Sequence, residues 1–140
     1  MDNSPKKKLL QFLSEDIQSG DITSELLPKN KIKARIISRE PGVVAGVKFA
    51  KEAFHLKGCN VRILAKDGTK IKVNQIILEV SGNAKTILSC ERTVLNLLSR
   101  MSGIATQTNF LVSKIKKINK KISLYSTRKT APGLRYFDKE

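Results

Sequence analysis

A chain of 140 residues with 40% hydrophobic side chains and no low-complexity tract can build one domain with a core, or one domain plus a piece of another, and does not read as a disordered basic tail. Its 27 Lys and Arg against 12 Asp and Glu give a net charge of +15, which either suits an anionic partner (nucleic acid, a membrane surface, a polyanionic small molecule) or reflects a bias toward lysine. No apolar run approaches the roughly 18 residues that span a bilayer, and MDNSPKKKLL lacks the apolar centre of a signal peptide, so a soluble cytoplasmic protein is expected.

In chain order, Ser4 before Pro5 is a helix start, with Leu9, Leu10, Leu13 and Ile17 at helical spacing and Ser19-Gly20 as the stop. EDIQSGDITSELLP, with Asp21, Thr23 and Ser24 able to cap a short turn, then reads as a polar connector. KIKARIISRE alternates as a strand, with Ile32, Ala34 and Ile36 on one face. PGVVAG gives a short apolar strand, and VKFAKEAFHLKG a helix closed by Gly58, with His55 placed as a cation near its C-terminal dipole. NVRILAKDGTKIKVNQIILEVSG follows as two or three strands, with a tight turn at Asp67-Gly68 and an end at Gly82. Cys59 and Cys90, with no CxxC or Cys/His spacing, are expected as half-buried thiols, neither zinc ligands nor a disulfide. This first part is expected to be an α+β domain, helices on a small antiparallel sheet.

From Asn83 a long helix is expected, interrupted near Ser102-Gly103, with Ile87, Leu88, Val94, Leu95, Leu98 and Met101 in one apolar stripe. Glu91 falls inside that stripe, where a carboxylate needs a cation or several donors, so a paired role that staples the fold is favoured over direct chemistry. Arg92 lies at the stripe's edge, where a long side chain reaches beyond its own helix. In SKIKKINKKIS the lysines look like a solvated helix end with Ile115, Ile118 and Ile122 on a buried side; no aromatics are interleaved for base stacking, so nucleic acid is a weaker reading. ISLYS is then expected as a strand, TRKTAPG as its C-terminal loop and LRYFDKE as the next helix, which is how a βα barrel or doubly wound sheet opens.

The loop holds the chemistry. Arg128 offers a planar fork for carboxylates and Lys129 a compact charge for phosphate, with the hydroxyls of Thr127 and Thr130 beside them. A small molecule with several negative charges suits such a cluster. No P-loop, GxGxxG after a strand, GxSxG or HExxH occurs, the lone His55 rules out a His dyad from this chain, and the carboxylates of Glu15-Asp16 and Asp138, Glu140 lack the spacing of an acid/base pair.

ERTVLNLLSRMSGIATQT followed by TRKTAPGLR closely resembles the signature of the quinolinate phosphoribosyltransferases, and EDIQSGDITSELLP, PGVVAGVKFA and KDGTKIKVNQIILEVSG resemble that family's N-terminal half in order and spacing. The resemblance implies a reaction of quinolinate with phosphoribosyl pyrophosphate to nicotinate mononucleotide, carbon dioxide and pyrophosphate, a step of NAD synthesis, with Mg²⁺ carried on the pyrophosphate by ligands beyond this chain. It implies substrate-binding roles for Thr127, Arg128 and Lys129, an Arg92 that reaches into the site of a neighbouring subunit in a homodimer, and supporting roles for Glu91 and Thr130; whether such dimers go on to a hexamer stays open. It further implies an N-terminal domain over residues 1–103 and the start of an α/β barrel over 104–140, in a chain truncated relative to the family and expected to be inactive alone. Ser126, where the family often has Asp, and Asn74, for a common Gly, depart from its pattern without removing a charge donor. Two other readings stay open: a molybdate-associated paralogue that shares the TRKT block, and a noncatalytic lipoyl- or biotinyl-like module suggested by VVAG and DGTKIKVNQIILEV.

Overall fold

The computed structural model describes residues 4–17 and 30–140. The expected stop at Ser19-Gly20 and the connector after it lie outside the described residues, as does the side chain of Ile17. Helix α1 (Pro5–Ile17) starts where expected. The Ser4 hydroxyl accepts from Lys7 N at 3.4 Å and the Ser4 carbonyl from Lys8 N at 3.2 Å, which satisfies two of the amides that a helix start leaves free. Leu9 and Leu13 are buried on its inner face, whereas Leu10 is 41% exposed. Each buried leucine contributes about 1.5–3 kcal/mol of transfer free energy.

Among the described residues, five strands form two antiparallel sheets. In the larger, β5 (Ile76–Asn83) lies between β1 (Lys31–Ile37) and β3 (Asn60–Ile63), and β2 (Gly42–Val43) pairs with β4 (Lys70–Ile71) in the smaller. On β5, Leu78 and Val80 point into the core, and Glu79 between them faces Arg35 of β1 at 2.8 Å and Arg62 of β3 at 3.9 Å. Period-two alternation thus separates an apolar face from a charged one. Gly82 does not end the run but lies within β5, because the sheet passes tightly over Cys59: a Cβ at Gly82 would sit 2.8 Å from the Cys59 sulfur.

Helix α2 (Val47–Leu56) packs on β3 and closes as expected at Gly58, which has φ 78°, while Gly58 N donates to His55 O and Cys59 N to Phe54 O. Its start is less usual. Gly46 has no side chain to cap with, and the Asp67 carboxylate reaches over from the turn before β4 to accept from Val47 N at 2.8 Å and Lys48 N at 3.4 Å. An anion there also meets the positive end of the helix dipole.

Helix α3 (Ala84–Ile118) begins directly off β5, with the Asn83 side chain accepting from Lys85 N at 3.0 Å. Its buried seam is Ile87, Cys90, Val94, Leu97, Leu98 and Met101. Two corrections follow. The seam runs through Cys90 and Leu97, not Leu88 and Leu95, which rotates Glu91 out to an exposed position. The expected interruption near Ser102-Gly103 is absent: this stretch is where the helix meets the β2 segment, the Ser102 hydroxyl accepting from Ala45 N at 3.1 Å and Thr106 Oγ1 from Val43 N at 2.9 Å. Those contacts outweigh the roughly 1 kcal/mol helix cost of a glycine. Gly46 must be glycine for the same closeness, with φ 92° and a Cβ position 2.7 Å from the Met101 sulfur.

Beyond Thr106 the helix leaves the body. Ile118 is 86% exposed and Ile122 47%, so the buried side expected there is not found, because no described element packs on it. Residues 122–126, expected as a strand, join no sheet among the described residues; Ile122 N donates to Asn119 O at 3.3 Å, in a turn off the end of α3, and no neighbouring edge offers ISLYS a ladder. The short helix α4 (Arg135–Lys139) does form, and Phe137 carries it into the same core as Leu9 and Val94, its ring 5.0 Å from that of Phe49 and 5.8 Å from that of Phe12. The α+β arrangement is as expected.

Asp67→Ala is expected to lower the unfolding free energy by about 1 kcal/mol, as loss of a helix cap does. Urea denaturation reads this out, and an unchanged midpoint would show that the cross-chain cap contributes nothing.

Candidate anion-binding site

Residues 119–134 link α3 to α4, and the cationic loop lies at their centre. Its shape is set by its own bonds. Thr127 Oγ1 accepts from Lys129 N at 3.2 Å and Arg128 O from Thr130 N at 3.0 Å, so the loop turns tightly at the two cations. Leu134 N donates to Ala131 O at 3.1 Å and Asp138 N to Leu134 O at 2.9 Å, passing the chain through Pro132-Gly133 into α4. Thr127, Arg128 and Lys129 are exposed and Thr130 is half-buried; neither cation makes an ion pair among the described residues.

The loop is anchored from below. Asp138 accepts from Arg100 Nε at 2.7 Å and Nη2 at 2.8 Å, a fork-on-carboxylate pair, and its Oδ2 also accepts from Ala131 N at 3.3 Å. The Asp138 side chain is only 6% exposed. Arg100 belongs to the long helix, so one carboxylate joins α3, α4 and the foot of the loop. The Arg100 hydrogen bonds hold the Asp138 carboxyl below the usual carboxylate range against the opposing effect of burial, and the same bonds raise Arg100. Glu140 makes a second tie, an ion pair with Lys48 of α2.

Arg92 lies two turns up α3 from Arg100, off the apolar seam, with a side chain 73% exposed. Its Nη1 donates to Asp16 Oδ1 at 2.9 Å, and Thr93 Oγ1 to Asp16 Oδ2 at 3.4 Å, so α1 holds it from the same chain. No hydrogen bond or ion pair links Arg92 to Thr127–Thr130 in this chain. Between α1 and α3 runs a cleft of about 440 Å³ lined by Phe12, Asp16, Thr93, Asn96, Arg100 and Leu134 among others. One member of each ion pair, Asp16 and Arg100, lines it, and none of the TRKT residues does. Glu91, expected as a buried, paired carboxylate, is exposed and makes no ion pair among the described residues.

Sequence reasoning set aside Asp16 and Asp138 as carboxylates without spacing, and each turns out to hold an α3 arginine. The signal it could have used was arginine itself, since Arg92 and Arg100 stand eight residues apart beside an apolar seam and need acidic partners. Cys59 and Cys90 are fully buried, not half-buried; burial raises the Cys59 thiol and pushes Cys90 up to about 11, with Cys59 adding to the effect. Neither is an activated nucleophile. Among the described residues no group of three or more His, Cys, Asp and Glu could hold a metal ion, and no helix is long and apolar enough to cross a membrane.

Arg128 and Lys129, without an ion pair among the described residues and on a loop anchored at its foot to a long helix, make this a candidate anion-binding site on an α+β domain. The model of the quinolinate phosphoribosyl transferase N-terminal domain matches residues 21–102, and the chain belongs to that family. It is 42% identical over 130 residues to the probable nicotinate-nucleotide pyrophosphorylase [carboxylating] of Methanocaldococcus jannaschii, covering 91% of this chain and 45% of that one. Over 137 residues it is 40% identical to the Bacillus subtilis protein of the same description, covering 96% and 47%. The crystal structure of the nicotinate-nucleotide pyrophosphorylase from Ehrlichia chaffeensis superposes with a TM-score of 0.86 at 32% identity, over 99% of this chain and 52% of that one. The chain spans about half the length of the curated relatives it matches.

Because the folded Asp138 titrates below its free value, its contribution to stability is complete above the ordinary aspartate range near pH 4 and disappears as the pH falls through the depressed value. The stability difference between the wild type and Asp138→Asn is therefore expected to be constant from about pH 7 to pH 5 and to shrink below about pH 4. Denaturation at several pH values measures it, and a difference indifferent to pH would contradict the pairing.

Proposed function

We propose that this chain supplies part of the substrate grip of a cytoplasmic quinolinate phosphoribosyltransferase, in which quinolinate and phosphoribosyl pyrophosphate give nicotinate mononucleotide, carbon dioxide and pyrophosphate in NAD synthesis. The observation that carries the reading is membership of the family over residues 21–102, with relatives about 40% identical that bear the name of this activity. Exposed, unpaired Arg128 and Lys129 on an internally hydrogen-bonded loop agree with it.

The chemistry follows from the substrates. The pyridine nitrogen displaces pyrophosphate at the ribose carbon and becomes cationic. The neighbouring carboxylate then leaves as carbon dioxide, its electron pair stays on the ring carbon beside the charged nitrogen, and a proton from water completes the product. Catalysis of such a step is chiefly orientation and charge stabilisation. In this reading Arg128 takes a carboxylate with its fork, Lys129 meets carboxylate or phosphate oxygens, and the hydroxyls of Thr127 and Thr130 support them. Mg²⁺ arrives on the phosphoribosyl pyrophosphate. Among the described residues the acidic side chains offer it no cluster, so its protein ligands are expected beyond this chain.

Arg92 fits the role of a residue lent to a second copy of the chain. A guanidinium carries five N–H donors, and the bond to Asp16 engages Nη1, which leaves the rest of the fork facing outward from an exposed helix face. The proposed assembly is a homodimer with a shared site, with a hexamer built from three such dimers as a further step.

Calorimetric titration with quinolinate tests this. Binding is expected for the wild type and at least about tenfold weaker binding for Arg128→Ala, the loss that goes with removing a charge-assisted hydrogen bond. Identical isotherms for the two proteins, or none for either, would overturn the assignment. Sedimentation equilibrium of Arg92→Ala tests the assembly: a dimer as strong as that of the wild type would remove Arg92 from the interface energetics.

A further inference from the structure

The proposed substrate loop has no ion pair of its own, yet its shape is fixed from Thr127 to α4, which raises the question of what fixes it to the body. Its hydrogen bonds form one continuous series. Lys129 N reaches Thr127 Oγ1, Thr130 N reaches Arg128 O, and Ala131 N reaches Asp138 Oδ2. From Asp138 two further bonds run to Arg100 in the middle of α3. Steric fit alone does not explain an aspartate with a 6% exposed side chain at this position, because its carboxylate engages three donors on two different elements. A carboxylate taken this far from water is retained where its donors are fixed.

We infer that Asp138, held by Arg100, is the positioning residue of the proposed substrate loop: through Ala131 N–H it sets where Arg128 and Lys129 stand relative to the helix that carries Arg92. The inference rests on the reading of Thr127–Lys129 as the quinolinate-binding loop. Asp138 touches no substrate in this account. It acts by removing freedom from the loop before the ligand arrives, so its loss is felt as weaker affinity, since ordering the loop is then charged against binding. The packing of Phe137 against Phe12 and Phe49 keeps α4 in place without the carboxylate, so Asp138→Asn is expected to keep the fold while freeing the loop.

Amide hydrogen exchange and a quinolinate titration followed by ¹⁵N NMR on the 140-residue chain test this, with Arg128→Ala as the control for the substrate-loop reading. In Asp138→Asn the Ala131 amide is expected to exchange about tenfold faster and the apparent Kd for quinolinate to rise about tenfold, while the amides that pair β1 with β5 stay protected. Asp138→Glu, which restores a carboxylate, is expected to recover part of both, and Arg100→Lys, which keeps the charge but loses the fork, to lie between the wild type and Asp138→Asn. An Ala131 exchange rate and a Kd unchanged in Asp138→Asn would overturn the inference, as would a loss of affinity with no change at Ala131. If Asp138→Asn loses sheet protection as well, the same comparison is made with Arg100→Gln, and the same outcomes decide. If Arg128→Ala leaves the Kd unchanged, the substrate-loop reading fails while Ala131 exchange still decides whether Asp138 holds the loop.

Discussion

The close approach of the Val43–Gly46 segment to helix α3 governs the rest of the molecule. Thr106 and Ser102 hydrogen-bond the backbone of Val43 and Ala45, and Gly46 passes so near Met101 that no side chain fits. With that contact made, α2 starts in one place and needs the Asp67 carboxylate as its cap. The two-stranded sheet is held on one side of α3, and the three-stranded sheet feeds directly into its first turn at Asn83. A 35-residue helix that would be marginal alone is stabilised by the layers on its seam.

The same helix distributes charge. Arg92 and Arg100 project from α3, each met by a carboxylate from a different helix, Asp16 of α1 and Asp138 of α4. Arg128 and Lys129 make no ion pair among the described residues. Within a chain of net charge +15, pairing some cations and leaving others exposed makes the positive surface uneven, and the proposed substrate loop lies where it is unpaired among the described residues. The lysines at the end of α3 belong to the solvated remainder, one of them lying 4.3 Å over the Phe110 ring.

Local signals carried much of the fold. Ser4-Pro5, the Gly58 closure, the alternation of KIKARII and the Asn83 start each depend on a residue's own backbone preference, and each holds. Features set by tertiary contact were harder to read. The seam of α3 was phased on leucines, and since Cys90 was not counted as an apolar seam residue, Glu91 was placed inside when it is outside. A Ser-Gly pair looked like a break because the partner of Ser102 lies 57 residues earlier. ISLYS has strand composition, but pairing needs a neighbouring edge that the described residues do not contain. The cations of the candidate site were legible from residue type and loop position; their acidic supports were not, because Asp16 and Asp138 lie 76 and 38 residues from the arginines they hold.

The central claim is that the TRK loop and an arginine from a second copy of the chain together hold a pyridine dicarboxylate. A crystal structure of the protein grown with quinolinate tests it most directly. The account predicts the dicarboxylate within about 2.7–3.2 Å of donors on Arg128 and Lys129, with the Arg92 of a symmetry-related chain close by. Quinolinate bound elsewhere, with these three side chains extended into bulk water, would contradict it.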